Sequence, residues 1–292
     1  MKLSSSFAGT PLREYETAVH WRDTMNYTAA VGDNNPLYLD DEREQGVISP
    51  PMFAVALTWP ISEHLYDYIE DKSFPAAVLQ RQVHYREHLE FMRPIVPGDR
   101  LRIKGRLAAV IPHPAGTSLV IRYDALDARG ESVFTEHITG LLRDVTCEGE
   151  GRGAESLPAQ DGDAGNGDAL WSSRIDIDPL CPFVYDGCTR IHFPIHTSKK
   201  FAHRVGLPDI ILQGTATLAF AVREVTRREP AADPSKIRSI SCRFAGMVFP
   251  GERIEVQLTG KETQGSEANL FFRVLNEKGK PALQDGLVTV LP

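Results

Sequence analysis

Apolar residues recur along this chain in two rhythms, and the order of those rhythms predicts its elements. After Gly214 the segment TATLAFAVREVTRRE places Leu218, Ala221, Val222 and Val225 at helical spacing, and Glu229-Pro230 ends the run. An apolar helix of about four turns is expected there. The earlier segment MFAVALTWPISEHLYDYIED has the same character but carries Pro60 in mid-run. A proline there lacks the N–H and crowds the preceding turn, so a kink or split is expected. Beyond each helix come β-rich runs: VLQRQVHYREHLEF, DRLRIKGRLAAV, TSLVIRYDAL and SVFTEHITGLL after the first, then IRSISCRFAGMVF, ERIEVQLTG, ANLFFRVLN and GLVTVL after the second. The runs follow one another closely, and the DARG and NEKG turns supply glycines for tight hairpins, so the sheets should be mainly antiparallel. One helix followed by a meander of strands is an α+β inventory, satisfied by a sheet curled round a single central helix.

The same landmarks recur in the same order in both halves. NNPLY around Pro36 answers FPIH around Pro194, an offset of 194 − 36 = 158. Gly46 answers Gly206 at an offset of 160, Gly98 answers Gly251 at 153, and Gly130 answers Gly279 at 149. Offsets that drift by a few residues are what small loop insertions in a duplicated unit produce. Between the copies, Cys147 to Leu170 is rich in Gly, Asp, Glu and Ala, with little to bury. It reads as a flexible linker, giving an N-terminal unit 1–146, a linker 147–170 and a C-terminal unit 171–292. Its glycines do not suggest a phosphate loop, because no apolar strand precedes them and no helix pattern follows.

Composition narrows the function classes. A length of 292 residues suits two domains, and 42% apolar with 24% charged residues is the balance of a soluble globular chain. A net charge of −7 argues against a nucleic-acid partner. The start MKLSSSFAGTPLREYE lacks a sustained apolar core, and no run is long enough to cross a bilayer, so a cytoplasmic chain without a membrane partner is expected. Cys147, Cys181, Cys188 and Cys242 form no CxxC pair, which suggests free thiols and not a zinc or disulfide framework. Nothing matches a GxSxG elbow, a Walker loop or a dinucleotide fingerprint, so serine hydrolases and nicotinamide enzymes drop out.

Two segments point to a chemistry. YTAAVGDNNPLYLDD resembles the GDxNPxHxD motif of the MaoC-like (R)-specific enoyl-CoA hydratases and dehydratases, with Asp33, Asn35 and Pro36 in register and Tyr38 at the family's histidine. TRIHFPIHTSKKFAHRVGLPDIILQGTATLA is similar to the same motif, with His196 at the histidine position and Ala202, Gly206 and Gly214 in register. There Ile191 stands for the family's aspartate, Phe193 for its asparagine, and Gln213 for the histidine that usually precedes the glycine. The resemblance covers both halves except the linker and implies a tandem, or double, hot-dog fold: two antiparallel sheets, each wrapped round a central helix. It also implies hydration of an acyl-CoA or acyl-carrier thioester, or the reverse, with no cofactor and no metal. A homodimer is one assembly such a chain allows.

Hydrating a conjugated thioester needs a base for water, an acid for the α-carbon, and donors for the enolate oxygen. His196 is the first candidate for proton transfer, with His192, Asp186 and Asp33 as further catalytic candidates. Gly214 at the helix start, with Gln213, Asn35 and Tyr38, are the candidates for holding substrate or its oxyanion. Each has a structural alternative. His196 would also serve as an imidazole capping a turn, and GDNNP is good turn chemistry in its own right. His192 and His196 are spaced to suit a metal on a helix, but Phe193-Pro194 and the lack of a third ligand disfavour one. His84 and His88 fit solvated or interface positions better than ligands, and Lys199, Lys200 and Arg204 are either a solvated face or a phosphate contact. With each half holding part of the signature, at most one working site, in the second half, is expected. A thioesterase and a non-catalytic acyl-binding subunit are the competing functions on the same scaffold.

Overall fold

The two apolar helical runs become the axes round which the strands wrap. The structure, a computed structural model, describes residues 1–159 and 167–292. In chain order the strands of the main sheet are β2 (Pro11–Ala18), β3 (Gln82–Phe91), β4 (Arg100–His113), β5 (Gly116–Leu126), β6 (Ser132–Arg143), β8 (Trp171–Asp176), β9 (Ile237–Phe244), β10 (Arg253–Gln264), β11 (Glu267–Leu275) and β12 (Pro281–Val290). They form one ten-stranded sheet in the order β2-β4-β5-β6-β3-β9-β12-β11-β10-β8, with every neighbouring pair antiparallel. Five strands come from each half. The two antiparallel sheets of the double hot dog are therefore joined edge to edge through β3 and β9, which leaves neither centre strand with an open edge.

Helix α7 (Gly214–Arg228) is the second-half axis. It is buried without interruption from Thr215 to Val222, so it is enclosed and not laid on a surface. Its end has two causes: Arg227 and Arg228 complement the negative end of the dipole, and Pro230 cannot continue the helix. In the first half, α3 (Ala54–Glu63) passes through Pro60, breaks at His64 (φ −114°, ψ 35°), and resumes as α4 (Leu65–Tyr68). The split lies one turn later than the proline, because the buried side chains of Leu57 and Ile61 hold the helix against the core across it. The expected hairpins form at Gly130 (φ 82°) and Gly279 (φ 68°).

Equivalent residues of the two halves meet on one axis. Helices α1 (Trp21–Ala30) and α5 (Cys181–Thr189) pack together, and the Tyr27 and Tyr185 hydroxyls are 3.1 Å apart, at the same offset of 158 as Pro36 and Pro194. In the β3–β9 ladder His88 lies opposite Ser241, the offset of 153 shared by Gly98 and Gly251. Ion pairs brace this seam: Arg238 to Glu90 at 2.6 Å, and Asp285 to Arg243 at 2.8 Å and Arg86 at 3.5 Å. One continuous apolar cluster draws on both halves.

Of the segment 147–170, Gln160–Asn166 lie outside the described residues. Before it, β7 (Thr146–Glu148) pairs in parallel with β1 (Lys2–Ser4), Arg152 exchanges two backbone hydrogen bonds with Val110, and Leu157 packs on Ala108, Ala109 and Val120. Among the described residues no helix is long and apolar enough to cross a membrane.

Candidate active site

The second-half motif folds into a short, turn-rich path between α5 and α7. Arg190 ends α5 in the left-handed region (φ 60°), Ile191 is buried, and Pro194–His196 form a single 3-10 turn. Next comes α6 (Lys199–Arg204), capped by the Ser198 hydroxyl on the Phe201 amide. This path leaves the His196 ring half-buried, its Nδ1 2.8 Å from the Ile211 carbonyl oxygen. A carbonyl can only accept, so Nδ1 carries the proton and Nε2 of the neutral ring keeps its lone pair. Burial lowers the pKa of His196 to about 4, with the Ile211 carbonyl and the nearby Asp186 carboxylate pulling the other way. The ring is therefore neutral at pH 7 and able to accept a proton.

Asp186 joins His196 to the third member of the group. Its Oδ1 is 3.3 Å from His192 Nδ1, and its charge is felt at His196. His192 is exposed, but its carbonyl accepts a 3.2 Å hydrogen bond from the Trp59 indole, so α3 of the first half fixes the backbone of the second-half motif. Ile211 lies three residues before Gly214, the first residue of α7, so one short loop sets both the imidazole and the helix start. The Ala216 and Thr217 amides donate to the Gln213 carbonyl at 3.1 Å, so among the described residues the Gly214 and Thr215 amides are those left without a backbone acceptor. A side chain at Gly214 would bring a Cβ within 2.9 Å of the Phe244 ring, so only glycine fits.

Gln213 is buried beside these groups. Its Nε2 donates to the Pro182 carbonyl at 3.0 Å, while Oε1 is buried without a partner among the described residues. What Gln213 has left to offer is an acceptor, which suits a water or hydroxyl and would repel an oxyanion. Behind it, Tyr27 donates to Tyr185, and Tyr185 donates to the Thr215 hydroxyl at 3.2 Å.

The first-half motif is built differently. Asp33 accepts from the Asn35 amide at 3.1 Å, and Asn35 caps α2 (Pro36–Leu39) by accepting from the Leu37 amide at 3.0 Å. Two arginines near the end of α7 close over this loop. Arg223 donates to the Val31 carbonyl, and Arg227 donates to the Gly32 carbonyl at 2.8 Å and Asn34 at 3.0 Å, with Asp33 3.5 Å away. Burial raises the Asp33 pKa, opposed by the Asn35 amide and both arginines. Tyr38 is buried, and burial with the nearby Asp33 pushes its hydroxyl well above the usual range. Asp33 thus sits at the far end of α7 from Gly214, about 20 Å along a helix rising ~1.5 Å per residue. The structure brings together His196, His192, Asp186, Gln213 and Gly214; it does not bring Asp33, Asn35 or Tyr38 to them.

Arg227→Ala is expected to lower stability by about 1 kcal/mol, since Asp33 loses a charged neighbour but water can reach the site where Arg227 is about a third exposed. Turnover should be unchanged. Thermal denaturation with a parallel activity assay checks both halves of the statement.

Two family models match separate parts of the chain: a MaoC-like domain matches residues 184–277, and a FAS1-like dehydratase domain region matches residues 6–136. A UPF0336 protein of Streptomyces avermitilis is 32% identical over 158 residues, 51% of this chain and 100% of the relative. The chain belongs to the MaoC-like dehydratase family. It is also 24% identical over 208 residues to the Drosophila melanogaster peroxisomal multifunctional enzyme type 2, and 37% identical over 65 residues to the peroxisomal enoyl-CoA hydratase 2 of Arabidopsis thaliana. These matches take in 70% and 22% of this chain, and it spans only 34% and 21% of those two relatives. Among solved structures, a MaoC-like dehydratase from Phytophthora capsici superposes with a TM-score of 0.81 at 20% identity, covering 98% of this chain and 97% of the other. A Mycobacterium tuberculosis protein with a double hot-dog fold superposes with a TM-score of 0.64 at 13% identity, over 96% of each chain. Both likenesses establish the fold.

In this MaoC-like chain several site features had no sequence signal. The Ile211 carbonyl is backbone, and Trp59 reaches His192 from 133 positions away. The Tyr27–Tyr185 pair did have one, since both residues fall on the offset of the repeat.

Proposed function

We propose that the chain adds water to a 2-enoyl thioester to give the (R)-3-hydroxyacyl thioester, and runs the reverse dehydration at the same site. The observation that carries this is the His196 ring, held through Nδ1 by the Ile211 carbonyl with Nε2 as a free base, in the loop that begins α7. Nε2 takes a proton from water as the hydroxide oxygen bonds to the β-carbon. Electrons shift onto the thioester oxygen, where the first amides of α7 receive the enolate. The imidazolium returns its proton to the α-carbon, so one water is added and the enzyme is unchanged. Asp186 stabilises the transient imidazolium and orients His192, taking over work the family gives to the aspartate that Ile191 replaces. Gln213 Oε1 accepts from the water before it attacks, or from the product hydroxyl.

Residues 1–146 act here as the half that closes over the second-half site through Trp59, with 171–292 carrying the chemistry. The family and the likeness to an enoyl-CoA hydratase 2 support the reaction class. Incubation with crotonyl-CoA should remove the conjugated-thioester absorbance without releasing thiol. Release of free CoA would replace this proposal with a thioesterase, and no change with either readout would leave a binding subunit.

A further inference from the structure

Tyr27 and Tyr185 are equivalent residues of the two halves, and their hydroxyls meet at 3.1 Å where α1 packs on α5. A pair related in this way has no direction of its own, since each hydroxyl can donate or accept. The starts of the two central helices remove that symmetry. Thr215 is the second residue of α7, and its Oγ1 accepts from the Tyr185 hydroxyl at 3.2 Å. The second residue of α3, at the offset of 160 that relates Gly46 to Gly206, is Val55, whose side chain can accept nothing. Tyr185 therefore directs its single proton to Thr215, and Tyr27 donates to Tyr185. Burial, with help from Tyr185, holds the Tyr27 proton well above the ordinary phenol range, as befits the donor of the pair. The relay has one direction, from the first half into the second.

Its end is a hydroxyl with a proton to give. Thr215 is 4% exposed, and among the described residues its own proton has no acceptor. A buried donor left unpaired costs free energy, so a partner is called for. The same turn of α7 holds the Gly214 and Thr215 amides, which also lack a backbone acceptor. We propose that Thr215 donates a hydrogen bond to the thioester oxygen of the substrate, and that Tyr185 and Tyr27 are the positioning residues that aim it. This rests on the thioester reading of the His196 site. The proton stays on Thr215 throughout, while each hydrogen bond in the relay polarises the next. Negative charge grows on the thioester oxygen only as the enolate forms, so the donor acts on turnover more than on binding. Asp186 follows Tyr185 in the chain, so adjacent residues of α5 serve the enolate oxygen and the base. Val55 denies the first half such a donor, an asymmetry separate from that of the two motifs.

Acetoacetyl-CoA tests the assignment apart from turnover, because its enolate absorbs in the near ultraviolet and its ionisation reports the donors around that oxygen. On the wild type the enolate band should appear about one pH unit or more below that of the free thioester, and Thr215→Val should move it back by about one unit. Thr215→Ser, which keeps the hydroxyl, should behave as wild type. With crotonyl-CoA, Thr215→Val should lower kcat by about 10² while KM changes less than about threefold. Tyr185→Phe leaves the Thr215 hydroxyl in place but unaimed and should lower kcat about tenfold, which carries the test should the valine variant fail to fold. An unshifted band with wild-type kcat in Thr215→Val overturns the proposal. So does a Thr215→Ser variant as slow as Thr215→Val, which would make side-chain shape the cause, and a Tyr185→Phe variant equal to wild type removes the relay. Loss of this role in a protein that still hydrates crotonyl-CoA leaves the hydratase reading standing. Absence of both hydration and a shifted acetoacetyl-CoA band in the wild type removes the two together.

Discussion

His196→Ala is expected to lower enoyl-thioester turnover by a factor on the order of 10² or more, the scale of a lost general acid–base group. Because the ring is half-buried and its hydrogen bond among the described residues is to a loop carbonyl, circular dichroism should remain native. Two comparisons make the result specific. Asp33→Ala should change kcat by less than about threefold, since Asp33 lies at the far end of α7, and should show its effect in the melting temperature instead. Asp186→Asn should fall between the two, because it removes the charge that supports the imidazolium without removing the base. The pH profile gives a further check. A base whose pKa is lowered to about 4 is neutral throughout the physiological range, so the acid limb of kcat/KM should centre near 4. An acid limb near ~6.5, the ordinary value for a solvated imidazole, would show that the burial read from the structure does not act on the catalytic ring. Equal losses from His196→Ala and Asp33→Ala would point to a composite site.

Glu136→Gln is expected to stabilise the protein at alkaline pH and to change little at acid pH. Glu136 on β6 and Glu87 on β3 are both fully buried, on the inner face of the first-half sheet. The two carboxyls interact directly away from water, so the pair holds a proton in preference to two negative charges. Burial raises the pKa of each, and the negative charge of Glu87 raises Glu136 further. The His88 amide at Glu87 and the Thr58 hydroxyl at Glu136 oppose the rise without reversing it. His84 Nε2 is 3.2 Å from Glu87 but is itself kept neutral, its pKa lowered to about 4 by burial. Tyr27, Tyr123, Tyr185 and Cys242 all feel the Glu87 charge and respond by holding their protons more tightly. Thr58 on α3 is the hydroxyl beside Glu136.

The sign follows from linkage. A carboxyl whose folded pKa lies above its unfolded value contributes stability that is fully present below the unfolded value, and loses it as pH rises through the folded one. His84, His137 and His196, all lowered to about 4, act in the opposite direction: their contribution is present above the unfolded imidazole value and lost as pH falls towards 4. Wild-type melting temperature should therefore peak between these limits. Near pH 9 the Glu136→Gln variant should melt roughly 5 °C or more above wild type, while near pH 5 the two should agree to within about 2 °C. A parallel fall of both proteins on the alkaline side would mean that another group carries the titration.

The fold was legible because its causes are local and repeated. Helical spacing after Gly214, glycines at the hairpin turns and four landmarks in constant order are each written in a few adjacent residues, and together they leave little besides a tandem α+β unit. His196 and Gly214 were legible for the same reason, both lying within one continuous motif. The tertiary structure decided what depends on residues distant in the chain. The arginines that occupy the Asp33 loop come from about 190 positions away, and nothing in GDNNP announces them. Ile191 removes the motif's aspartate from the second half, and only packing shows Asp186, five residues earlier and on another element, next to the two histidines. The proton on Nδ1 of His196 is fixed by a backbone carbonyl, which no side-chain pattern encodes. The Glu87–Glu136 pair is the clearest case. Each glutamate alone is an unremarkable residue in a strand, and only the β3–β6 register and the enclosure of that face place both carboxyls away from water and against one another. Local periodicity determines which face of an element turns inward; what meets it there is set by the rest of the chain.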